Sequence, residues 1–199
     1  MRKQWLGWVV VLSACVSAPT HYHSLAQLRE EPDASATQCT AEAAEAGVRT
    51  NTIVLTHLRV PAEADRMQLT VHQSPTRLIV YERERWATPL SDQISAVLIG
   101  NLHTLLPGVT ITADPMLAGK GPSAKLQVDF EELDVRLGQE AFFRARWRLE
   151  GAAGVCSFRQ PLRSGDVDEL VLAWSRGLSE LSASLAEQFH ITILNSVPP

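Results

Sequence analysis

The residues best placed for chemistry stand at the start of the chain. Cys15 follows Leu12-Ser13-Ala14, behind a basic head, Met1-Arg2-Lys3-Gln4, and an unbroken apolar run from Trp5 to Leu12. A basic n-region, a short apolar h-region and small residues before a cut are the parts of a secretory signal. The run is too short to cross a bilayer permanently, which takes about 20 apolar residues. Leu12-Ser13-Ala14-Cys15 also has the form of a lipobox, in which the cysteine thiol is acylated and cleavage leaves it as the new N-terminus. The expectation is a signal peptide over residues 1–14, a lipidated Cys15 and a tether over 15–20; the alternatives are an ordinary signal with an incidental cysteine, or a buried apolar strand. Each buried methylene contributes roughly 0.8 kcal/mol, so several acyl chains anchor stably. Val16, rather than Asp, follows the cysteine, which by convention points to the periplasmic face of the outer membrane.

Two cysteines remain, Cys39 and Cys156. In an oxidising compartment they are candidates for a bridge, or two separate buried thiols, and spacing does not decide between them. His21 and His23 flank Tyr22 and could offer two metal ligands, but no third is indicated; His57, His72, His103 and His190 are scattered. Glu131, Glu132 and Asp134 could pose as an acid–base pair, though adjacent carboxylates at a strand end are more often simply solvated. The chain has no GxSxG elbow, HExxH, phosphate loop or dinucleotide fingerprint, so nothing in it supports an enzyme and no cofactor is expected. Glu82-Arg83-Glu84-Arg85-Trp86 is the most distinctive stretch. Tryptophan and arginine are favoured anchors of protein interfaces, so it reads either as a contact surface or as a structural corner capped by Trp86.

These residues need a frame. Thr52–Val60, Met67–Val71, Arg77–Tyr81, Val109–Ala113, Lys125–Phe130, Phe142–Glu150 and Val155–Leu162 alternate or are β-branched, as strands are. His21–Leu28 reads as an extended first strand. Arg29–Thr50, rich in Ala, Glu, Thr and Pro, reads as a surface loop with a helical turn near Ala41–Ala46, or as disorder unless Cys39 ties it down. Apolar residues recur at helical spacing over Pro89–Leu106 and Asp166–Phe189. Thr88 suits the start of the first helix as its cap, with Pro89 in the first helical position. Ser164 and Asp166 suit the start of the second. The order predicts a single α+β domain over residues 21–195. Its sheet is mixed and largely antiparallel, with two main helices packed on one face.

The chain carries a net charge of -4, and loss of Arg2 and Lys3 with residues 1–14 takes it to -6. An acidic domain is a poor partner for nucleic acid, where affinity comes from clustered Lys and Arg.

Taken in order, these residues resemble the PqiC/YmbA family of ABC-type transport auxiliary lipoproteins. The matches are Tyr22 and Leu25; Val60-Pro61 and Asp65-Arg66; Tyr81; Arg85-Trp86-Ala87-Thr88-Pro89-Leu90, with Thr where the family has Glu; Val128-Asp129-Phe130; Trp147; and Asp168, Ser175 and Leu181-Ser182. The long loop with Cys39 departs from the pattern. The resemblance implies a non-enzymatic auxiliary of an intermembrane lipid transport system. It would dock a tubular MCE-domain periplasmic protein, with its inner-membrane complex, at the outer membrane, as a ring of copies. Asp65, Arg66, Arg83, Arg85 and Trp86 would then lie at the contact surface. Two alternatives are a free-standing lipid binder, which needs a continuous apolar cavity, and an assembly lipoprotein of another envelope machine.

Overall fold

The structure is a computed structural model that describes residues 18–28, 36–42, 50–74 and 76–194, with side chains as far as 190. The signal peptide, Cys15, residues 16 and 17 of the tether, and most of the helical turn expected near 41–46 lie outside the described residues. The strands are β1 (His21–His23), β2 (Ala36–Glu42), β3 (Thr52–Arg59), β4 (Gln68–Ser74), β5 (Arg77–Trp86), β6 (Thr110–Thr112), β7 (Ala124–Arg136), β8 (Glu140–Leu149) and β9 (Ala152–Pro161). The helices are α1 (Leu90–Leu105) and α2 (Val167–Leu194).

Strict alternation builds the main sheet. In β8, Ala141, Phe143, Ala145, Trp147 and Leu149 are buried while Arg144, Arg146 and Arg148 face solvent. This is the period-2 pattern of a sheet with one covered face. Six strands run in the order β2-β9-β8-β7-β3-β6. Those from β2 to β7 pair antiparallel, and β3 pairs parallel with both β7 and β6.

The apolar stripes of α1 (Leu90, Ile94, Val97, Leu98, Leu102) and α2 (Leu170, Trp174, Leu178, Leu181, Leu185, Phe189) are buried side by side on that sheet. Between the helices the Asn101 amide donates to Ser182 Oγ at 3.3 Å, which satisfies two buried polar side chains. The start of α2 is as the sequence suggests: Asp166 Oδ1 accepts from the backbone N–H of Asp168 at 3.1 Å. The start of α1 is not. Pro89 is the cap residue and has no side-chain cap bond; the donor at Ser91 is met instead by Asp65 Oδ1, 2.9 Å away on a distant loop.

Two further expectations change. The single sheet is divided, because β1, β5 and β4 form a separate three-stranded sheet. Arg29–Thr50 is not simply a loop, because Ala36–Glu42 is the edge strand β2. Its sequence, ATQCTAE, has little apolar content, so pairing holds it rather than burial. Every residue from Ala36 to Glu42 is in register with β9, and Cys39 stands opposite Cys156 with the two disulfide-bonded. Cys156 is wholly buried, so the bridge ties the edge strand to the core.

This packing sets two stability outcomes. In an exposed helix Gly→Ala stabilises by up to about 1 kcal/mol. At Gly177, however, a new Cβ would collide with the rings of Phe143 and Phe158, 2.7 Å from the latter. Gly177→Ala is therefore expected to lower stability by about 1–3 kcal/mol in a denaturant titration; an unchanged midpoint would contradict this packing. Replacing both Cys39 and Cys156 by Ala releases a crosslink spanning 117 residues. A loss of about 2–4 kcal/mol is expected, with thiol titration of the unfolded parent confirming the bridge.

Candidate functional site

The distinctive charged stretch forms the last turns of β5, and its geometry comes from one irregularity. Leu69 pairs with Tyr81 and Gln68 pairs with Arg85, so Glu82-Arg83-Glu84 has no counterpart on β4. Ile79 and Tyr81 pack toward the core before this bulge. Uninterrupted alternation from them would aim Arg83 and Arg85 inward and Trp86 outward. The bulge shifts the phase, as bulges do.

Trp86 is therefore 1% exposed and stacks on Trp174 of α2, with centroids 5.8 Å apart and planes 18° apart. This corrects its expected place in the contact surface: the indole fills the corner between the small sheet and α2, and no partner reaches it. Asp65, at the surface, is committed to Ser91. Arg66 and Arg83 are exposed and make no ion pair among the described residues. Arg85 is half-buried, its Nε donating to the Glu82 carbonyl at 3.0 Å.

Sequence reading missed the companions of these arginines. β1 lies parallel to β5, with Tyr22 in register with Arg85. Tyr22 is 63% exposed and Met67 37%. The outer side of the small sheet thus combines Tyr22, Arg83 and Arg85, and Arg66 and Met67 are exposed in the loop that leads into β4. The signal available beforehand was the alternation of β1 itself: His21 and His23 on one side, Tyr22 on the other.

The inner side holds a charge cluster. His21 Nδ1 lies 3.0 Å from Glu84 Oε1, His23 Nε2 lies 2.7 Å from Glu84 Oε2, and His23 Nδ1 lies 3.2 Å from Asp168 Oδ1. The hydrogen bond from His23 is the main reason the Glu84 carboxyl is held below its ordinary value. These histidines bind β1 to β5 and to the first turn of α2. Among the described residues no three ligand side chains converge on a metal position. The chain beyond β1 is fastened too: Leu25 N–H donates to Gln93 Oε1 at 2.8 Å and Ala26 N–H to Ser175 Oγ at 3.0 Å.

Two of the carboxylates near the end of β7 meet basic side chains. Glu131 lies 2.6 Å from Arg146 and 3.4 Å from Arg144, while Asp134 lies 2.6 Å from His72 and 3.5 Å from Arg136. Glu132 is exposed. On the same outer face Arg59 grips Asp129 at 2.6 and 2.9 Å, which lowers the Asp129 carboxyl from its ordinary value. Within the core, the apolar space enclosed by Leu25, Ile94, Phe130, Leu133, Phe143, Trp174 and Leu178 is about 10 Å³. Ligand sites run to roughly 300–1,000 Å³, so this space does not hold an acyl chain.

The chain belongs to the family of ABC-type transport auxiliary lipoprotein components, whose sequence pattern matches residues 35–186. It is 25% identical over 121 residues to the intermembrane transport lipoprotein PqiC of Escherichia coli K12, and equally to that of Shigella flexneri. The match takes in 58% of this chain and 62% of either relative, so the chain spans less than two thirds of their length. Among solved structures, protein XCC0632 from Xanthomonas campestris superposes with a TM-score of 0.62 over 88% of this chain and 98% of its own, at 16% identity. An uncharacterised protein gives 0.63 over 74% and 99%, at 19% identity. These two share the fold.

The Glu84 cluster has a definite pH signature. A carboxyl whose folded value is depressed contributes stability above its unfolded value, ordinarily 4.5, and loses it as pH falls through the folded value. Glu84→Gln is expected to cost about 1 kcal/mol near neutral pH. The gap to the parent should close as the solution is acidified below the carboxylate range. Equal melting curves for the two proteins at neutral pH would refute the role given to this carboxylate.

Proposed function

We propose that this family member is an outer-membrane-anchored periplasmic lipoprotein, acylated at Cys15, that docks the tubular MCE-domain component of an intermembrane lipid transport system. It would act as one of a ring of copies beside the inner-membrane complex. The observation that carries this reading is the family match across residues 35–186, a stretch that includes the main sheet, α1 and most of α2. The lipobox at Leu12-Ser13-Ala14-Cys15 and Val16 after it support the anchor and its membrane. The intermembrane transport role of the PqiC relatives supports the lipid pathway.

Among the described residues, the space beside Trp174 is too small for an acyl chain, which favours a docking part over a free-standing lipid carrier. The work of such a protein is then done by its surfaces. Of the residues expected at a contact surface, Arg66, Arg83 and Arg85 remain available to one, and Trp86 does not.

The test is to extract the intact lipoprotein from membranes and identify by mass spectrometry what comes with it. Recovery of an MCE-domain protein together with an acylated N-terminal Cys15 peptide is expected. Recovery of an unrelated envelope machine, or of copies of this chain alone, would overturn the transport assignment.

A further inference from the structure

We infer that the outer side of the small sheet, carrying Tyr22, Arg83 and Arg85, together with the exposed Arg66 and Met67 of the loop leading into β4, lies against the anionic phospholipid headgroups of the anchoring membrane. The inference rests on the proposed acylation of Cys15 and adds a second, non-covalent membrane contact to it.

Reach supplies the first argument. Whatever path residues 15–17 take, the six steps from Cys15 to His21 extend at most about 20 Å. β1 is thus confined to the neighbourhood of the headgroups. It is not free to swivel away from the body, because His21 and His23 are bonded to Glu84 and His23 to Asp168. The backbone N–H of Ala87 also donates to the His23 carbonyl at 2.9 Å. Holding β1 near the membrane therefore holds β5 and the first turn of α2 there.

Direction supplies the second. Along β1 and the end of β5, the side bearing His21, His23, Glu84 and Trp86 faces α2 and the core. The opposite side, with Tyr22 and Arg85 in register, faces away from the body. Where the chain enters, this is the surface left to meet a membrane.

Chemistry supplies the third. Tyrosine sits at membrane interfaces, with an apolar ring and a polar tip, and arginines beside an anionic leaflet each add attraction. In a chain whose net charge is -4, and -6 once Arg2 and Lys3 are lost, the bulge sets Arg83 and Arg85 together on this side and turns Glu84 inward; Glu82 stays exposed, as do Glu63 and the Ser91-bonded Asp65 in the adjoining loop. An anionic surface complements that arrangement. The far end of the main sheet is out of reach. Lys120 precedes the first residue of the 13-residue strand β7, roughly 40 Å along the sheet from the end where α2 begins.

The acylated protein is purified from membranes with its anchor and reconstituted into phosphatidylethanolamine vesicles with or without phosphatidylglycerol. With Cys15 acylated and Cys39 bonded to Cys156, Glu82→Cys provides one free thiol for a fluorophore and leaves all three arginines in place. Lys120→Cys is the distal control. With a headgroup-quencher lipid, loss of fluorescence is expected at position 82 in phosphatidylglycerol vesicles and none at position 120. The loss should diminish in high salt. Arg66→Glu and Arg83→Glu together should abolish it while leaving the melting curve unchanged, since these two side chains are exposed.

Protein that floats with vesicles but is no more quenched at 82 than at 120 would overturn the headgroup contact and leave the anchor standing. Protein that neither floats nor carries an acylated Cys15 would overturn the anchor on which the inference rests. Shielding at position 82 that appears only when an MCE-domain protein is added would assign this side to a protein partner and equally overturn the membrane contact.

Discussion

The structure turns on the bulge in β5. Three residues, Glu82, Arg83 and Glu84, stand in that strand without counterparts on β4, and they reverse which side chains face inward. The reversal sends Trp86 into the corner against Trp174 and Glu84 to the side where two histidines and Asp168 can gather. The same step puts Arg83 and Arg85 on the outside. Alternation is a rigid rule within a strand, so a single local irregularity relocates every side chain beyond it. The small sheet would not close on the helices without it, because an arginine rather than an indole would occupy the corner.

A continuous mechanical path starts at this corner. The chain enters through β1, which is bonded laterally to β5 and to the start of α2. It then runs on through Leu25 and Ala26, whose amides are held by Gln93 of α1 and Ser175 of α2. These bonds have one end on the entering segment and the other on the helix pair that covers the main sheet. Tension applied at the N-terminus is delivered to the best-packed part of the domain rather than to a loop. At the opposite edge of the main sheet the Cys39–Cys156 bridge does for β2 what burial does for its neighbours. A strand of Ala, Thr, Gln and Glu has little apolar surface to bury, and a covalent tie to a buried cysteine compensates.

The charged residues elsewhere are organised as pairs. Arg59 with Asp129, Arg144 and Arg146 with Glu131, and Arg159 with Glu140 lace the open face of the main sheet. Such exposed pairs contribute little each, and their use is to keep a broad sheet face soluble and in register.

The sequence by itself determined the α+β class, both helices and most of the strands, because periodic burial leaves a period in the residue types; the family was legible separately, through the resemblance of ordered motifs such as Arg85-Trp86-Ala87-Thr88-Pro89-Leu90. Phe143, Ala145, Trp147 and Leu149 against Arg144, Arg146 and Arg148 could hardly be read otherwise. It did not determine β2, whose partner lies more than a hundred residues away and whose composition carries no apolar period. It did not determine that Cys39 meets Cys156, since a disulfide is a statement about distance in space. Nor did it determine the fate of Trp86. Residue type marked Trp86 as important, but inward or outward is settled by the pairing register of β5 with β4, a relation between two strands that neither strand's own residues encode. Tertiary structure alone decided which members of the Arg-Trp stretch face the core and which face outward, and it joined to the outward ones a tyrosine from sixty residues earlier.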